Sequence, residues 1–270
     1  MADITADGTR FHVQLLEPPG PSADAPTVVF VHGLVIDNLS SFYYTLAGPV
    51  VGAGARAILY DLRGHGLSGR PESCYSTRDG AADLCALLDA LGVTAPVYVI
   101  GNSYGGIIAA RMAVAAPERV AGLVLIEAHC TGSGAAAWLE DMANTLTVAA
   151  LGLEYDRVQD WLRVVGQRKL ARLAMHADAL LNGTSLIGDL AAERPLDAAE
   201  LASITCPVLG VYGERSELVA AADDLLRHVP DCRVEILPGL AHTVLREATG
   251  QLRDIVTGWL PVRQAVGTAG

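Results

Sequence analysis

Basic residues are scarce in this chain of 270 residues, which contains a single lysine, Lys169. Lys and Arg together number 19 against 30 Asp and Glu, so the formal net charge is −11 at pH 7. Nucleic acids and anionic membrane surfaces are bound through clustered Lys and Arg side chains, and no basic run occurs here. The sequence therefore predicts neither nucleic acid nor a membrane as a partner.

Cysteine is also sparse, and no Cys-x-x-Cys pair occurs among its five positions, which are 74, 85, 130, 206 and 232. An odd, scattered set predicts reduced and mostly buried thiols, with neither a disulfide framework nor a metal site. No apolar run approaches the roughly 18 residues that span a bilayer. The first residues include Asp3 and Asp7 and do not resemble a secretory signal. We therefore expect a cytoplasmic protein.

Hydrophobic residues, by contrast, make up 51% of the chain, enough for a sizeable core. Short runs rich in Val and Ile alternate with helical patterns, which is typical of a parallel sheet covered by helices. Helical spacing predicts helices over residues 77–91, with Ser76 or Thr77 as the N-cap, and over 243–260. The runs that predict strands cover residues 11–16, 27–31, 55–60, 97–100, 120–126, 208–212 and 234–237.

One interval, residues 128–205, contains no strand-like run. Amphipathic helical stretches occur there around residues 135–150 and 155–177. A long insertion of this kind inside a compact domain is typical of an active-site lid. The sequence therefore predicts a core formed by residues 1–127 and 206–270, with residues 128–205 as a helical lid.

A candidate nucleophile follows the apolar run at 97–100. Residues 101–105 read Gly-Asn-Ser-Tyr-Gly, and a helical pattern comes directly after them. In a Gly-x-Ser-x-Gly bend between a buried strand and a helix, the serine adopts a strained conformation that only small neighbours tolerate, and its hydroxyl stands out of the sheet near a helix N-terminus. The pattern predicts Ser103 as a nucleophile, the alternative being a structural turn with an idle serine.

A candidate general base, His242, follows the last strand-like run and lies C-terminal to Ser103. It would accept the serine proton during attack and return it to the leaving group. His32 and His65 lie in glycine-flanked turns, where we expect them to hold loops in place.

Four segments in order give the chain a family resemblance: residues 31–33 (Val-His-Gly), 61–68 (Asp-Leu-Arg-Gly-His-Gly-Leu-Ser), 101–106 (Gly-Asn-Ser-Tyr-Gly-Gly) and 239–242 (Gly-Leu-Ala-His). Together they resemble the α/β-hydrolase superfamily over nearly the whole chain. The resemblance implies an eight-stranded, mostly parallel sheet flanked by helices, with the lid inserted after strand six. It also implies a Ser-acid-His triad that works without a cofactor, and an oxyanion hole made by the backbone amides of Leu34 and Tyr104.

The acid departs from the family pattern. Members usually carry Asp three residues after the Gly that ends strand seven, where this chain has Ser216. Some relatives, notably polyketide and peptide-synthase thioesterases, carry the acid at the end of strand six instead, and this chain resembles them in having Glu127 there. We therefore expect Glu127 to be the acid, with Glu217 as the second candidate and Glu214 as the third.

These residues predict hydrolysis of an ester or thioester through an acyl-Ser103 intermediate. The expected substrate is a small acyl compound, and apolar acyl compounds are among the candidates. Three alternatives stay open: C–C bond hydrolysis of a dienol or β-diketone, acyl transfer to an alcohol or amine, and a binding protein with little turnover. Residues 101–103 resemble the C–C hydrolases, and Ser216 in place of an acid favours the binding protein. No oligomeric state is predicted.

Lid arginines would bind the carboxylate of a C–C hydrolase substrate, and the candidates are Arg157, Arg163 and Arg172. Aromatic side chains are the candidates to line the substrate pocket, although packing explains such residues equally well; they are Tyr43, Tyr44, Trp138 and Trp161.

Overall fold

The computed structural model describes residues 2–20, 25–35, 37–130 and 168–261. Its centre is an eight-stranded sheet with the order β1-β2-β4-β3-β5-β6-β7-β8. The strands are β1 (Ala2–Ala6), β2 (Thr9–Leu16), β3 (Thr27–Val31), β4 (Arg56–Tyr60), β5 (Val97–Asn102), β6 (Val120–Ile126), β7 (Val208–Gly213) and β8 (Cys232–Leu237).

Strand β2 runs antiparallel to both its neighbours, β1 and β4, and the other neighbouring strands pair in parallel. The strands from β3 to β7 are buried almost throughout, because helices cover both faces of the sheet, and this explains their continuous apolar runs. The predicted fold class, an eight-stranded and mostly parallel sheet of the α/β-hydrolase type, is confirmed.

The predicted strand bounds differ from the observed ones mainly where strands are exposed. Strand β1 matches no predicted run, because four of its five residues are not buried and its pattern is polar. It forms a hairpin with β2 through Asp7 and Gly8, both at positive φ. The edge strand β8 begins at Cys232, earlier than its apolar run, since most of its residues are also only partly buried.

The helices follow the strands in the expected alternation. Ser76 caps the helix after β4 with a capping box to Asp79, as the sequence predicts. The predicted helix over 243–260 is divided in two, because Ala248 leaves the helical region with φ −118° and ψ 29°. The α-helices are α1 (Ser40–Phe42), α2 (Gly48–Gly52), α3 (Thr77–Ala90), α4 (Tyr104–Ala115), α5 (Arg168–Gly183), α6 (Leu186–Ala191), α7 (Ala198–Ala202), α8 (Ala220–His228), α9 (Val244–Glu247) and α10 (Thr249–Trp259).

Two apolar clusters, one on each face of the sheet, form the core. Along β3 the buried side chains alternate between them, with Val29 in one cluster and Phe30 in the other. Helices α3, α4 and α8 cover the first face, while α10 and the helical segment 40–52 cover the second. That segment has no counterpart among the predicted helices, although Phe42, Leu46 and Val50 are buried at helical spacing.

The predicted lid lies partly outside the described residues, as do Trp138, Trp161, Arg157 and Arg163. Of its described part, α6 and α7 pack on the core through Leu186, Leu190 and Leu201. Arg111 of α4, which is buried, also contacts Glu193 at 3.3 Å. The division into core and lid stays a prediction. None of the described helices is both long and apolar enough to cross a membrane.

Candidate active site

Ser103 forms a sharp bend between β5 and α4 at the carboxyl end of the sheet. Its φ of 51° and ψ of −119° lie in a region that non-glycine residues seldom occupy. Residues held in such conformations cluster at functional sites, where the surrounding structure maintains the strain. The bend follows Asn102 directly, and the Ser103 amide donates to the Ile126 carbonyl at 2.8 Å.

Three glycines allow this bend to pack tightly. A Cβ atom on Gly105 would collide with the carbonyl oxygens of Val31 and His32, and one on Gly101 would collide with the backbone of the first turn of α4. At Gly106 the obstacle would be the side chain of Ala128. The Gly-x-Ser-x-Gly-Gly pattern is thus required by the close approach of α4 to the ends of β3 and β6.

Glu127 lies at the end of the neighbouring strand, β6, level with Ser103. The registers pair Asn102 with Ile126, so Ser103 and Glu127 each follow one member of the pair. The Glu127 side chain is fully buried. Its Oε1 accepts a hydrogen bond from the Gly213 amide and its Oε2 one from the Ser216 hydroxyl, both at 2.5 Å. Two donors from the end of β7 therefore fix this carboxylate.

His242 reaches the same carboxylate from the loop after β8. Its Nδ1 lies 3.3 Å from Glu127 Oε2 and 4.0 Å from Glu217 Oε1. The Glu217 side chain is 63% exposed, so water weakens its interaction with the imidazole. Glu214 accepts instead from the Gly239 amide at 2.8 Å and so holds the loop that leads to His242. Among the three acids, the geometry favours Glu127.

Ser216 has a use that sequence reasoning missed. It occupies the position of the usual family acid, and its hydroxyl donates to Glu127 while accepting from the Leu218 amide at 3.1 Å. Because the oxygen already accepts from Leu218, its proton is directed to the carboxylate. The sequence marks only the loss of an acid at 216, and nothing in it indicates that the serine contacts Glu127.

The two amides predicted for the oxyanion hole belong to Leu34 and Tyr104, and their role stays a prediction. Tyr104 is the first residue of α4, so its amide has no hydrogen-bond acceptor within the helix. Its side chain points away, since the hydroxyl donates to the Tyr75 carbonyl at 2.9 Å. Leu34 follows β3, where Val31 pairs with Gly101. Both predicted donors thus belong to segments that meet at Ser103.

The histidines expected to hold loops do so. His32 is fully buried, its Nε2 accepts from the Leu62 amide at 3.0 Å, and its Nδ1 lies 2.7 Å from the Gly33 carbonyl. His65 Nε2 accepts from the Val35 amide at 2.9 Å. Burial, followed by the charge of His32, lowers the pKa of His65 to about 3. This imidazole is therefore neutral at physiological pH and available as an acceptor.

A cavity of about 690 Å³ opens beside the loop that follows Leu34. Tyr43 and Tyr44 both line it, and Tyr44 is 77% exposed. The rings stack edge to face with their centroids 5.2 Å apart. Small-molecule sites have volumes of roughly 300–1,000 Å³, so this cavity is large enough for a ligand. Whether these tyrosines bind a substrate stays a prediction.

Comparison with known proteins gives a consistent result. A model of the α/β-hydrolase fold family matches residues 26–199. The chain is 30% identical over 246 residues to a Variovorax paradoxus protein named as a carbamate hydrolase, RutD, covering 86% of this chain and 91% of that protein. It is 29% identical over 273 residues to a Bacillus subtilis protein named as a 2-succinyl-6-hydroxy-2,4-cyclohexadiene-1-carboxylate synthase, covering 94% and 96% of the two chains.

A solved structure of a hydrolase from Pseudomonas aeruginosa PA01 is similar over 97% of this chain and 98% of its own. The TM-score is 0.73 and the sequence identity 25%. The similarity therefore extends over the core on both sides of the predicted lid.

Proposed function

The chain belongs to the α/β-hydrolase fold family, whose relatives named above include hydrolases, and we propose that it is a serine hydrolase that cleaves an ester or thioester through an acyl-Ser103 intermediate. One observation carries the proposal. A fully buried carboxylate, Glu127, lies 3.3 Å from His242 Nδ1 and follows the strand beside the one that ends at the Ser103 bend. These are the parts that acyl transfer needs: a nucleophile, a base and a group that orients the base.

In the proposed reaction, Ser103 Oγ attacks the substrate carbonyl carbon while its proton passes to His242. Nδ1 faces Glu127, so Nε2 is the nitrogen that serves Ser103. The imidazolium that forms is stabilised by the carboxylate, and the amides of Leu34 and Tyr104 hold the oxyanion. His242 then protonates the departing alcohol or thiol as the C–O or C–S bond breaks. Water then gives a proton to His242 as its oxygen bonds to the acyl carbon. When the bond from that carbon to Ser103 Oγ breaks, His242 returns the proton to Oγ and the acid is released.

Ser216 no longer favours a binding protein with little turnover. That alternative depends on the absence of an acid at position 216. Glu127, however, offers a carboxylate to His242, and the Ser216 hydroxyl donates to that same carboxylate. A site without catalysis has no need of a buried charge directed at an imidazole, since burying a charge is unfavourable unless it is well paired.

Carbamates are a second class of candidate substrate. The similarity to RutD, which extends over 91% of that protein, favours them, and a carbamate carbonyl suits the same serine attack. C–C hydrolysis depends on the lid arginines, and no contact of the described residues supports it. Acyl transfer uses the same acyl-Ser103 intermediate and differs only in the acceptor.

An acyl-enzyme trap tests the proposal directly. A fluorophosphonate probe should label the wild-type protein once, at Ser103, and should fail to label Ser103→Ala. His242→Ala should slow labelling by several orders of magnitude, while His228→Ala, which removes a histidine from the end of α8, should label normally. A correctly folded wild-type protein that does not react would refute the proposed hydrolase.

Identifying the bond that the enzyme cleaves requires a panel of substrates. Rates of hydrolysis of p-nitrophenyl esters of increasing acyl length, acyl thioesters and a p-nitrophenyl carbamate should be compared by kcat/KM. We expect esters or thioesters to exceed the carbamate. A carbamate hydrolysed faster than both would replace the ester assignment while leaving the nucleophile and base unchanged.

A further inference from the structure

Asp37 closes the loop that follows β3 and lies close to the nucleophile bend. Its Oδ2 accepts a hydrogen bond from the Gly33 amide at 2.8 Å, and its Oδ1 accepts one from the Asn38 amide at 2.9 Å. A Cβ atom on Gly33 would lie 3.1 Å from that same Oδ2 and 3.5 Å from Asn102 Nδ2. The Asp37 carboxylate and the side chain of Asn102, the residue that precedes Ser103, therefore both approach Gly33.

The 690 Å³ cavity has this carboxylate in its wall, together with Asp61. Tyr43, Tyr44 and Leu67 add aromatic and apolar surface. No Lys or Arg is among the lining residues that the structure describes. The cavity thus combines apolar contact area with negative charge on one side, at the loop that carries the proposed oxyanion donor.

Neither carboxylate has its charge neutralised by a described cation. Asp61 accepts from the amides of Leu39 and Leu67, each at 2.8 Å. Backbone amides satisfy the oxygens of Asp37 and Asp61 but carry no net charge. Among the Lys and Arg residues whose side chains the structure describes, none lies within 4 Å of either acid. A second negative charge placed several ångströms away would be repelled strongly enough to change affinity by about tenfold or more.

Two arginines approach this region without lining the cavity. Arg10 pairs with Asp3 at 3.0 Å, and Arg70 Nη2 lies 3.4 Å from His176 Nδ1. His12 and His176 do line the cavity and would attract an anion if protonated. Comparing each pair of substrates at the same pH, once at pH 8 and once at pH 6, shows whether these side chains contribute to the selectivity.

We propose that Asp37 is a specificity-determining residue, which makes the site select substrates without a negative charge near the reacting carbonyl. The proposal rests on the proposed function, because it concerns the substrates of Ser103. Neutral esters, and those with a cationic group, approach Ser103 past the two carboxylates in the wall of the adjacent cavity. Esters with a carboxylate on the acyl or the alcohol side are repelled by Asp37.

Paired esters in which a neutral group is replaced by a carboxylate test this selectivity. On the acyl side the pair is p-nitrophenyl butyrate and p-nitrophenyl hemisuccinate, and on the alcohol side it is phenyl acetate and 4-carboxyphenyl acetate. The ratio of kcat/KM for the neutral over the anionic ester is divided by the ratio for hydroxide-catalysed hydrolysis. We expect the wild-type enzyme to favour the neutral member by about tenfold or more in at least one pair.

Asp37→Asn should reduce that preference about tenfold, since the amide oxygen still accepts from Gly33 while the charge is gone. The matched control is Asp231→Asn, which changes the net charge equally. Asp231 is exposed and precedes β8, so it lies at the amino ends of the parallel strands, whereas Ser103 lies at their carboxyl ends. This control should keep the wild-type preference.

Two results would overturn the assignment. One is a wild-type enzyme that shows no preference in either pair. This result does not depend on whether any variant folds. The other is an Asp37→Asn enzyme that loses rate equally on both members, since Asp37 would then serve only to hold the loop. Fluorophosphonate labelling separates these from failure of the proposed function: a wild-type protein that labels at Ser103 yet ignores substrate charge refutes the role of Asp37 alone.

Discussion

The neighbouring strands β5 and β6 are each followed by a residue at positive φ, and different contacts surround the two bends. Ser103 has a φ of 51° and Glu127 a φ of 50°. At Ser103 the bend is packed against backbone so closely that only glycine fits at Gly101 and Gly105. Both residues donate their amides to the neighbouring strand, but at Glu127 the side chain is also held, because its carboxylate accepts hydrogen bonds from Gly213 and Ser216.

The difference explains what each bend requires of the sequence. Steric packing needs glycines within a few residues of Ser103, so the requirement is local. The hydrogen bonds to Glu127 come from Gly213 and Ser216, which are 86 and 89 residues away along the chain. A local change should therefore disrupt the first bend, whereas the second should respond to changes in a distant loop.

Removal of the charge from the second bend should have the largest effect on activity. Glu127→Gln keeps the volume and one acceptor but no longer stabilises an imidazolium, so we expect kcat to fall by about 10⁴-fold, as happens when a triad aspartate becomes an amide. The exposed acid at 4.0 Å provides the matched control, and Glu217→Gln should change kcat less than threefold or so. Steady-state kinetics with one ester decides between them, and the opposite ranking would overturn the assignment of Glu127.

Adding a methyl group to the first bend should instead affect folding. Gly105→Ala places a Cβ against the Val31 and His32 carbonyls, which are fixed by the sheet, and should lower the free energy of unfolding by about 3 kcal/mol. In Gly188→Ala, within α6, the new Cβ meets nothing within 4 Å and should be neutral or slightly stabilising. Urea denaturation measures both. Equal stability of the two variants would contradict the steric account.

A third bend extends the comparison to the end of β3. Val35 has a φ of 62°, an unfavourable value for a β-branched residue, and its amide donates to His65 Nε2. The folded-state pKa of His65 is about 3, below the unfolded value of about 6.5. Its contribution to stability is therefore complete above pH 6.5 and is lost as the pH falls towards 3, because the unfolded chain then binds a proton that the folded chain refuses.

Between pH 7 and pH 5 this single group should lower the free energy of unfolding by about 2 kcal/mol. His65→Gln, which keeps an acceptor but does not titrate, should show a pH dependence shallower by about that amount. Urea denaturation at the two pH values gives the comparison. Parallel losses in wild type and variant would mean that His65 is protonated in the folded state well above pH 3.

The contrast between local packing and contacts with distant loops also explains how much could be predicted from the sequence. Strands such as β3 and β5 are predicted because burial on both faces imposes a continuous apolar run, and Ser103 because its bend needs nearby glycines. The first strand, Ala2–Ala6, is missed because it is largely exposed and its side chains are polar. Segment 40–52 is missed although Phe42 and Leu46 show helical spacing.

Contacts between distant loops account for what remains. Glu127 could be proposed as the acid from its place after β6, but its bond to Ser216 is a tertiary contact with no local signature. Asp37 follows Gly33 in a polar loop of ordinary composition, and nothing in that pattern indicates that its carboxylate and the Asn102 side chain both approach Gly33. Residues that act through the backbone of another loop become visible only when the loops are brought together.

Ser216→Ala is the smallest change that tests the hydrogen-bonded bend. It removes one of the two donors that fix the Glu127 carboxylate and an acceptor for Leu218, so kcat should fall about tenfold while KM stays nearly constant. Ser203→Ala, which removes a hydroxyl bonded only to the Glu200 carbonyl, is the matched control and should leave both constants unchanged. If Ser216→Ala retained full kcat, Gly213 and the Glu127 amide would suffice to orient the acid, and the second bend would be fixed by backbone contacts as fully as the first.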